Sequence, residues 1–443
     1  MNRERILELL AGKNFAALKE ALAHANSVDL AVLLEEVEEK ELLLVFRLLG
    51  KEEAAETFSY MSSNLQQMII QGFTDNELKE VLDELFLDDT VDIIEEMPAN
   101  VVKRILKNTD EMTRNMINVM LNYPKDSAGS IMTIEYVNLK KDMTVKEAIT
   151  HIRKEGIDKE TIYTCYVTEN RKLIGFITVK DLLMANDEAK VVDIMETDVI
   201  YTYTHDDKED VARMFGKYDF MAIPVVDYEK CLVGIVTVDD AMDVMEDEAT
   251  EDMEKMAAMS PSEDSYFETS VFDHAKHRIL WLLLLMLSAT ITGTIITRYE
   301  DAFSAIPLLV AFIPMLMDTG GNCGSQSSTL IIRGLALEEI NFKDFFKVIF
   351  KEFRIALIVS VVLAVVNGIR ILLMYKNLVL ALVVGCSLVC TIIIAKVVGC
   401  ILPLIAKKCK LDPAIMAAPL ITTIVDTFSV LVYFNIATMF FKL

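Results

Sequence analysis

Histidine and paired cysteine are scarce in this chain of 443 residues. The seven cysteines (165, 231, 323, 386, 390, 400 and 409) form no C-x-x-C pair, so neither a disulfide framework nor a structural zinc site is expected. There are only five histidines, no Walker loop, and no Cys/His or Ser/His arrangement, which makes an enzyme the least expected class. Basic charge is short as well: 43 Lys and Arg stand against 67 Asp and Glu, a net charge of −24. The deficit is local. Residues 1–272 carry −29, and the remainder carries +5. Phosphates would be repelled by the first part, so nucleic acid is not an expected partner, whereas cations are. Residues 1–10 are charged and helical in pattern, unlike a cleavable signal, and the N-terminal portion is expected to stay cytoplasmic.

Against that background one stretch stands out. Residues 314–326 read P-M-L-M-D-T-G-G-N-C-G-S-Q inside an apolar segment running from about 305 to 332. A lipid-spanning helix has no use for a proline, three glycines, an aspartate and an asparagine so close together. Broken helix at membrane depth survives only where protein or a wet cavity receives its backbone groups, so the stretch is a pore or site candidate. The last apolar segment, 415–441, contains one acid, Asp426, in I-T-T-I-V-D-T-F-S. A carboxylate at mid-bilayer costs about 2.5–3.5 kcal/mol on insertion scales and usually faces a bundle interior or an ion path. The plainer alternative is a protonated Asp bonded to a neighbouring hydroxyl.

In chain order, residues 1–129 read as short amphipathic helices stacking into a superhelical N-terminal domain. Asp88 and Asp92 lie one turn apart in an acidic run; a merely solvated acidic face is the alternative. From 130 the character changes, and a repeat of roughly sixty residues appears. G-F-I-T-V-K-D (175–181) pairs with G-I-V-T-V-D-D (234–240), and S-I-M-T at 130 echoes D-I-M-E-T at 193. Thr178 and Thr237 are placed to cap helices, with Asp181 and Asp240 in the first turn. The two units, 130–190 and 191–247, resemble a tandem pair of cystathionine-β-synthase (CBS) domains, regulatory modules that often bind adenine nucleotides between the repeats. The resemblance implies a candidate ATP site at Thr178, Asp181, Thr237 and Asp240; a purely dimerising role is the alternative. Residues 248–276 are expected to form an acidic, plug-like connecting helix.

The region 277–443 is expected to be an all-α membrane domain with five spans: 279–296, 305–332, 355–373, 378–402 and 415–441, each near the ~20 residues a crossing needs. Loop Lys and Arg number ten on one side and four on the other. That bias puts the N-terminus inside and the C-terminus outside a cell membrane. Residues 339–354 are amphipathic and are expected along the inner surface. The second and fifth spans together offer Asp318, Asn322, Ser325, Gln326, Thr422, Thr423 and Asp426, an oxygen-only set suited to hard cations. So sparse a set leaves an ion its water, which fits Mg2+ best. One Asp per chain becomes a pair if two copies meet on a two-fold axis.

P-x-x-x-x-x-G-G-N-x-G-x-Q in the second span, D-P-A and P-L-I-T-T-I-V-D in the fifth, and the order of domains resemble the MgtE family of magnesium channels across essentially the whole chain. The resemblance implies a homodimeric, multidomain channel with an α-helical N-domain, an α+β CBS pair, a linker helix and five spans, closed by intracellular Mg2+. It implies that Asp426 is the central ligand for hydrated Mg2+, with Gly320, Gly321 and Asn322 as the pore-lining break. It places regulatory Mg2+ at Asp88, Asp92, Asp219, Asp240, Asp243, Glu248, Glu251 and Asp252. The sequence departs from the family pattern at Ala418, where some members have Asn, and at Asp318, where some have a small residue. Lys396, deep in the fourth span, either pairs with an acid or snorkels. Two other classes stay open: a carrier of another divalent cation such as Co2+ or Mn2+, and a non-transporting membrane sensor built on the CBS pair.

Overall fold

The N-terminal helices are short because a polar cap or a Gly/Pro break interrupts the apolar pattern every eight to ten residues. The computed structural model describes residues 3–262, 266–267, 269–299, 306–416 and 418–441, the side chains of 3 and 418 excepted. Among these, the first part holds α1 (Arg3–Ala11), α2 (Phe15–Leu22), α3 (Ser27–Leu34), α4 (Glu39–Phe46), α5 (Lys51–Ser59), α6 (Ser63–Gly72), α7 (Asp75–Leu82), α8 (Leu87–Glu96), α9 (Ala99–Asn108) and α10 (Glu111–Met120). Side chains of Asn26, Thr74 and Asp110 accept free N–H groups at the starts of α3, α7 and α10. The packing is superhelical: α3 lies on α5, α5 on α7, and α7 on α9. Polar links repeat at the same spacing, with Ser27 to Glu56 at 2.9 Å and Arg47 to Glu77 at 2.8 Å. A continuous core from Ile6 to Met120 runs through the stack.

Two three-stranded sheets follow, one per repeat. In the first, β1 (Tyr136–Lys140), β2 (Thr161–Glu169) and β3 (Lys172–Thr178) lie in order, β1 parallel and β3 antiparallel to β2. In the second, β4 (Thr202–Tyr203), β5 (Ala222–Val226) and β6 (Leu232–Thr237) repeat that pattern. The helices are α11 (Val145–Glu155), α12 (Val179–Met184), α13 (Val191–Ile194) and α14 (Lys208–Tyr218), then α15 (Val238–Met256). The echoed S-I-M-T and I-M-E segments exchange partners: Thr133 bridges to Ile235 of the second sheet, and Glu196 to Phe176 of the first. Glycine is needed at both crossings. A Cβ on Gly175 would lie 2.7 Å from the Glu196 carbonyl oxygen, and one on Gly234 would lie 2.6 Å from that of Thr133.

The chain divides into two compact units, Met1–Met245 and Glu246–Leu443. The second opens with the end of α15, which stops at Met256 rather than continuing as a helix over 248–276. Ala258 takes a left-handed backbone (φ 55°) and Pro261 follows, which together end the helix. The piece after it is held by the Ser260 N–H to the His277 carbonyl (2.9 Å) and the Ser262 N–H to the Glu254 carboxylate (2.9 Å). The next helices are α16 (Val271–Arg298), α17 (Ile313–Ala336), α18 (Phe345–Tyr375), α19 (Leu378–Lys408) and α20 (Ala418–Phe441). Residues 345–354, expected along a membrane surface, are instead the first turns of the 31-residue α18.

Among the described residues, four helices are long and apolar enough to cross a membrane: Val271–Arg298, Phe342–Tyr375, Leu378–Lys408 and Pro413–Phe441. The expected second span divides differently. Ala305 lies outside the described residues, Pro307–Phe312 is a 3-10 turn, and α17 carries the polar stretch. With 24 residues α17 is about 36 Å long at 1.5 Å per residue, a crossing length without a crossing composition.

Candidate functional site: a polar helix in the bundle and an acidic cluster outside it

The expected break at 314–326 does not occur. α17 runs unbroken through it, because Pro314 stands in the first turn, where its missing N–H is no loss. The glycines serve close packing instead. A Cβ on Gly320 would lie 2.7 Å from Thr391 and 2.8 Å from Val425; on Gly321, 2.9 Å from Thr422; on Gly324, 2.7 Å from Ile421. Gly320 and Gly324 are a small-x-x-x-small pair that lets α17 sink against α19 and α20. At the crossing with α19, a Cβ on Gly399 would lie 2.3 Å from the Gly324 carbonyl oxygen.

Burying that face presents the other. Asp318, Asn322 and Gln326 follow one another at four-residue steps and are all exposed on the protomer. Asn322 Nδ2 donates to Asp318 Oδ1 at 3.2 Å. Asp426, half-buried on α20, lies within electrostatic reach of Asp318. Thr422 and Thr423 donate their hydroxyls to the Pro419 carbonyl at 2.9 Å each, which satisfies them within their own helix. Ser328 Oγ to the Met416 carbonyl (3.1 Å) ties the 3-10 turn Pro413–Met416 to α17, and Thr292 to Thr427 (2.8 Å) ties α20 to α16. The side chain of Ala418 lies outside the described residues. Lys396 does not snorkel. It is buried and ion-paired with Glu352 at 3.7 Å.

The first unit gathers a different group. Asp88, Asp89 and Asp92 on α8 act electrostatically with Glu135 and Glu160 of the first repeat and with Asp239 and Asp240 at the start of α15. Burial, then the Asp240 and Asp89 charges, pushes the Asp88 carboxyl up to about 9, and its Oδ1 is buried without a partner. Burial and Asp240 push Asp92 up to about 7. Burial and Asp239 do the same to Glu160, again to about 7. Asp240 rises only to about 6, since Thr237 Oγ1 donates to it at 2.5 Å and partly offsets its burial. Asp243 adds its charge to Asp240. Asp219 stands apart in role, as the left-handed C-cap of α14 (φ 55°). Glu248, Glu251 and Asp252 lie further along α15, where Glu251 pairs with Lys255.

Lys255 also meets Asp412 at 2.7 Å, and Asp412 in turn accepts the Ala414 N–H at 2.8 Å just before α20. Burial alone would lower the Lys255 pKa, but Asp412 and Glu251 outweigh it and raise it. The T-x-x-D pairs behave as capping units: Thr178 accepts the Asp181 N–H at 3.1 Å and donates to its carboxylate. A cavity of about 680 Å³ lies beside the first sheet, lined by Tyr136, Lys140, Lys141 and Arg171 among others, away from either T-x-x-D pair. Among the described residues, no group of three or more His, Cys, Asp or Glu is arranged to hold a metal ion directly.

The MgtE divalent cation transporter domain matches residues 313–436, the MgtE intracellular N domain residues 25–126, and CBS domains residues 128–188 and 191–247. The "Magnesium transporter MgtE" of Bacillus subtilis (strain 168) is 36% identical over 437 residues, covering 98% of this chain and 96% of that protein. The chain belongs to the MgtE family. The protein of the same name from Thermus thermophilus is also 36% identical, covering 98% of this chain and 97% of its own length. A crystal structure of the cytosolic domain of the Mg2+ channel MgtE in complex with ATP aligns with a TM-score of 0.52 at 37% identity, over 55% of this chain and 99% of that one.

The MgtE transporter domain match contains Asp318, Asn322 and Asp426, and the N-domain match contains Asp88 and Asp92. Sequence reasoning missed Asp89, Glu135, Glu160 and Asp239 of the acidic cluster, as well as Glu352. Asp89 and Asp239 adjoin predicted acids and were open to inclusion. Glu135 and Glu160 lie far in sequence from the predicted acids, and only the fold brings them in.

Proposed function

We propose that this MgtE protein carries Mg2+ across the membrane as a transporter rather than an enzyme. The observation that carries the reading is the exposed stripe Asp318, Asn322, Gln326 on a buried-glycine helix beside Asp426. Such a stripe is costly against lipid and is satisfied if it lines water. We read α17 as a fifth crossing, and the exposed stripe as the face that a second copy completes in a homodimer. Two copies would then place two Asp426 and two Asp318 carboxylates around one path. With only oxygen groups and few of them, the path suits a cation that keeps most of its water. On this reading the N-terminus is cytoplasmic and the C-terminus extracytoplasmic.

The acidic cluster supports a regulatory reading of the cytosolic part. Carboxyls crowded enough to hold protons near neutral pH release them to a divalent cation that neutralises the same charge. Mg2+ at Asp88, Asp92, Asp240 and Asp243, with Asp219, Glu248, Glu251 and Asp252, would then stabilise the closed arrangement. ATP is assigned to the T-x-x-D pairs, Thr178–Asp181 and Thr237–Asp240. The domain divisions at 129, 190, 247 and 276 follow these roles.

The deciding experiment is Mg2+ flux in proteoliposomes for wild type and Asp426→Asn, with low or high Mg2+ on the face bearing the N-terminal domains. Flux that is lost with Asp426 and suppressed by high Mg2+ on that face is expected. Flux indifferent to Asp426 removes the central site, and a folded protein without flux returns the CBS-sensor reading. Competition by Co2+ and Mn2+ tests the choice of cation.

A further inference from the structure

Behind α17, on the side away from Asp318, three buried polar residues meet from three helices. Ser327 of α17, Glu352 of α18 and Lys396 of α19 are 0%, 6% and 5% exposed. Ser327 Oγ donates to Glu352 Oε2 at 2.6 Å, Lys396 Nζ donates to Ser327 Oγ at 3.1 Å, and the ammonium lies 3.7 Å from the carboxylate. Nine residues of helix at 100° each put Ser327 on the face opposite Asp318. Three residues from Ser327 is Gly324, and three from Lys396 is Gly399, the two backbones that touch. The polar cluster and the glycine crossing therefore fix the same contact, one by hydrogen bonds and the other by shape.

A single buried charge here would be strongly unfavourable, and the pair is neutral. The transport reading leaves both charges unused, since neither faces the Asp318 stripe. We propose that Glu352 and Lys396 are positioning residues for conduction: their ion pair grips Ser327 and sets the rotation of α17, so that Asp318 and Asn322 face the path. Lys396 carries no net repulsion toward the cation while Glu352 balances it. The role rests on the transport reading and adds to it residues that never touch the ion.

The test uses the full chain in liposomes: wild type, Glu352→Gln, Lys396→Met, the double variant Glu352→Gln/Lys396→Met, and Ser327→Ala. Maximal Mg2+ flux, the half-saturating Mg2+ concentration and the Mg2+ over Ca2+ preference are read, with size-exclusion profiles reporting folding. Each single charge variant is expected to lose tenfold or more in maximal flux and to lose Mg2+ preference. The double variant leaves no buried net charge and keeps a side-chain oxygen at position 352 to accept the Ser327 hydroxyl, and it is expected to recover to within about threefold of wild type. Ser327→Ala should lower the preference while remaining folded. Single variants that conduct like wild type overturn the proposal, as does a folded double variant no better than the singles. Should the single variants fail to fold, recovery of both folding and flux in the double supports the pair, and a folded double without flux overturns it. A wild type without flux refutes the transport reading itself, and this role with it.

Discussion

Replacing Gly399 with alanine puts a methyl carbon 2.3 Å from the Gly324 carbonyl oxygen, with the Gly324 carbonyl carbon and Cα next at 3.0 and 3.2 Å. All three neighbours are backbone, so no side chain can swing aside. Restoring an ordinary contact of about 3.4 Å means parting α17 and α19 by about 1 Å, and overpacking of this kind typically costs about 1–3 kcal/mol. Because α17 carries Asp318 and Asn322, the same displacement moves the polar stripe. Gly385 on the same helix supplies the control, since nothing lies within 4 Å of its added Cβ. There alanine should be neutral or stabilising by up to about 1 kcal/mol, the helix-propensity difference. Thermal unfolding in detergent and Mg2+ flux in liposomes would be measured on both variants. Gly399→Ala should melt earlier and conduct less, whereas Gly385→Ala should do neither. Equal behaviour of the two would refute backbone packing as the reason for the glycines.

The acidic cluster makes stability depend on pH. Asp88, Asp92 and Glu160 have folded values of about 9, 7 and 7, above their unfolded ones, burial being the first cause in each. The folded protein therefore retains protons that the unfolded chain releases, and stability, undiminished below about pH 4, falls as pH rises toward about 9. In chelator between roughly pH 6 and 8, Asp88 alone contributes a loss of at most about 1.4 kcal/mol per pH unit. Asp88→Asn should flatten that slope and Mg2+ should oppose it; a wild-type unfolding midpoint indifferent to pH would contradict the cluster. Lys255 is ion-paired with both Glu251 and Asp412; if Glu251 takes regulatory Mg2+ as proposed, Lys255→Met removes a competitor for it. A partly exposed pair is worth about 0.2–1 kcal/mol, so on the proposed regulatory reading the Mg2+ concentration that half-suppresses flux should fall by up to about fivefold. An unchanged value would show that the bridge plays no part in closure.

Much of this organisation is legible in the residues. The sixty-residue repeat, the Thr178 cap and the helix over Asp88 and Asp92 are local patterns, and local patterns carry their own chemistry. The glycines at 320, 321 and 324 were also visible, but a run of glycine in a helix signals either a break or a close approach. What decides between them is the facing helices, whose side chains and backbone lie more than sixty residues away. Glu352 sits among Lys347, Lys351 and Arg354 and reads as part of a surface helix; only the fold sets it against Lys396. Glu135 and Glu160 are hidden for the same reason.

The continuity of α17 has a mechanical consequence. A broken helix can yield locally, opening or narrowing a path by the movement of a few residues. An unbroken rod of 24 residues, pinned from behind at Ser327 and seated by glycine along Gly320–Gly324, has no joint at which to bend. It can pivot or turn only as a whole, with Ser327 as its fulcrum. A push at the Ala336 end would then displace Asp318 toward the other, so that the two ends of the rod move as the arms of one lever.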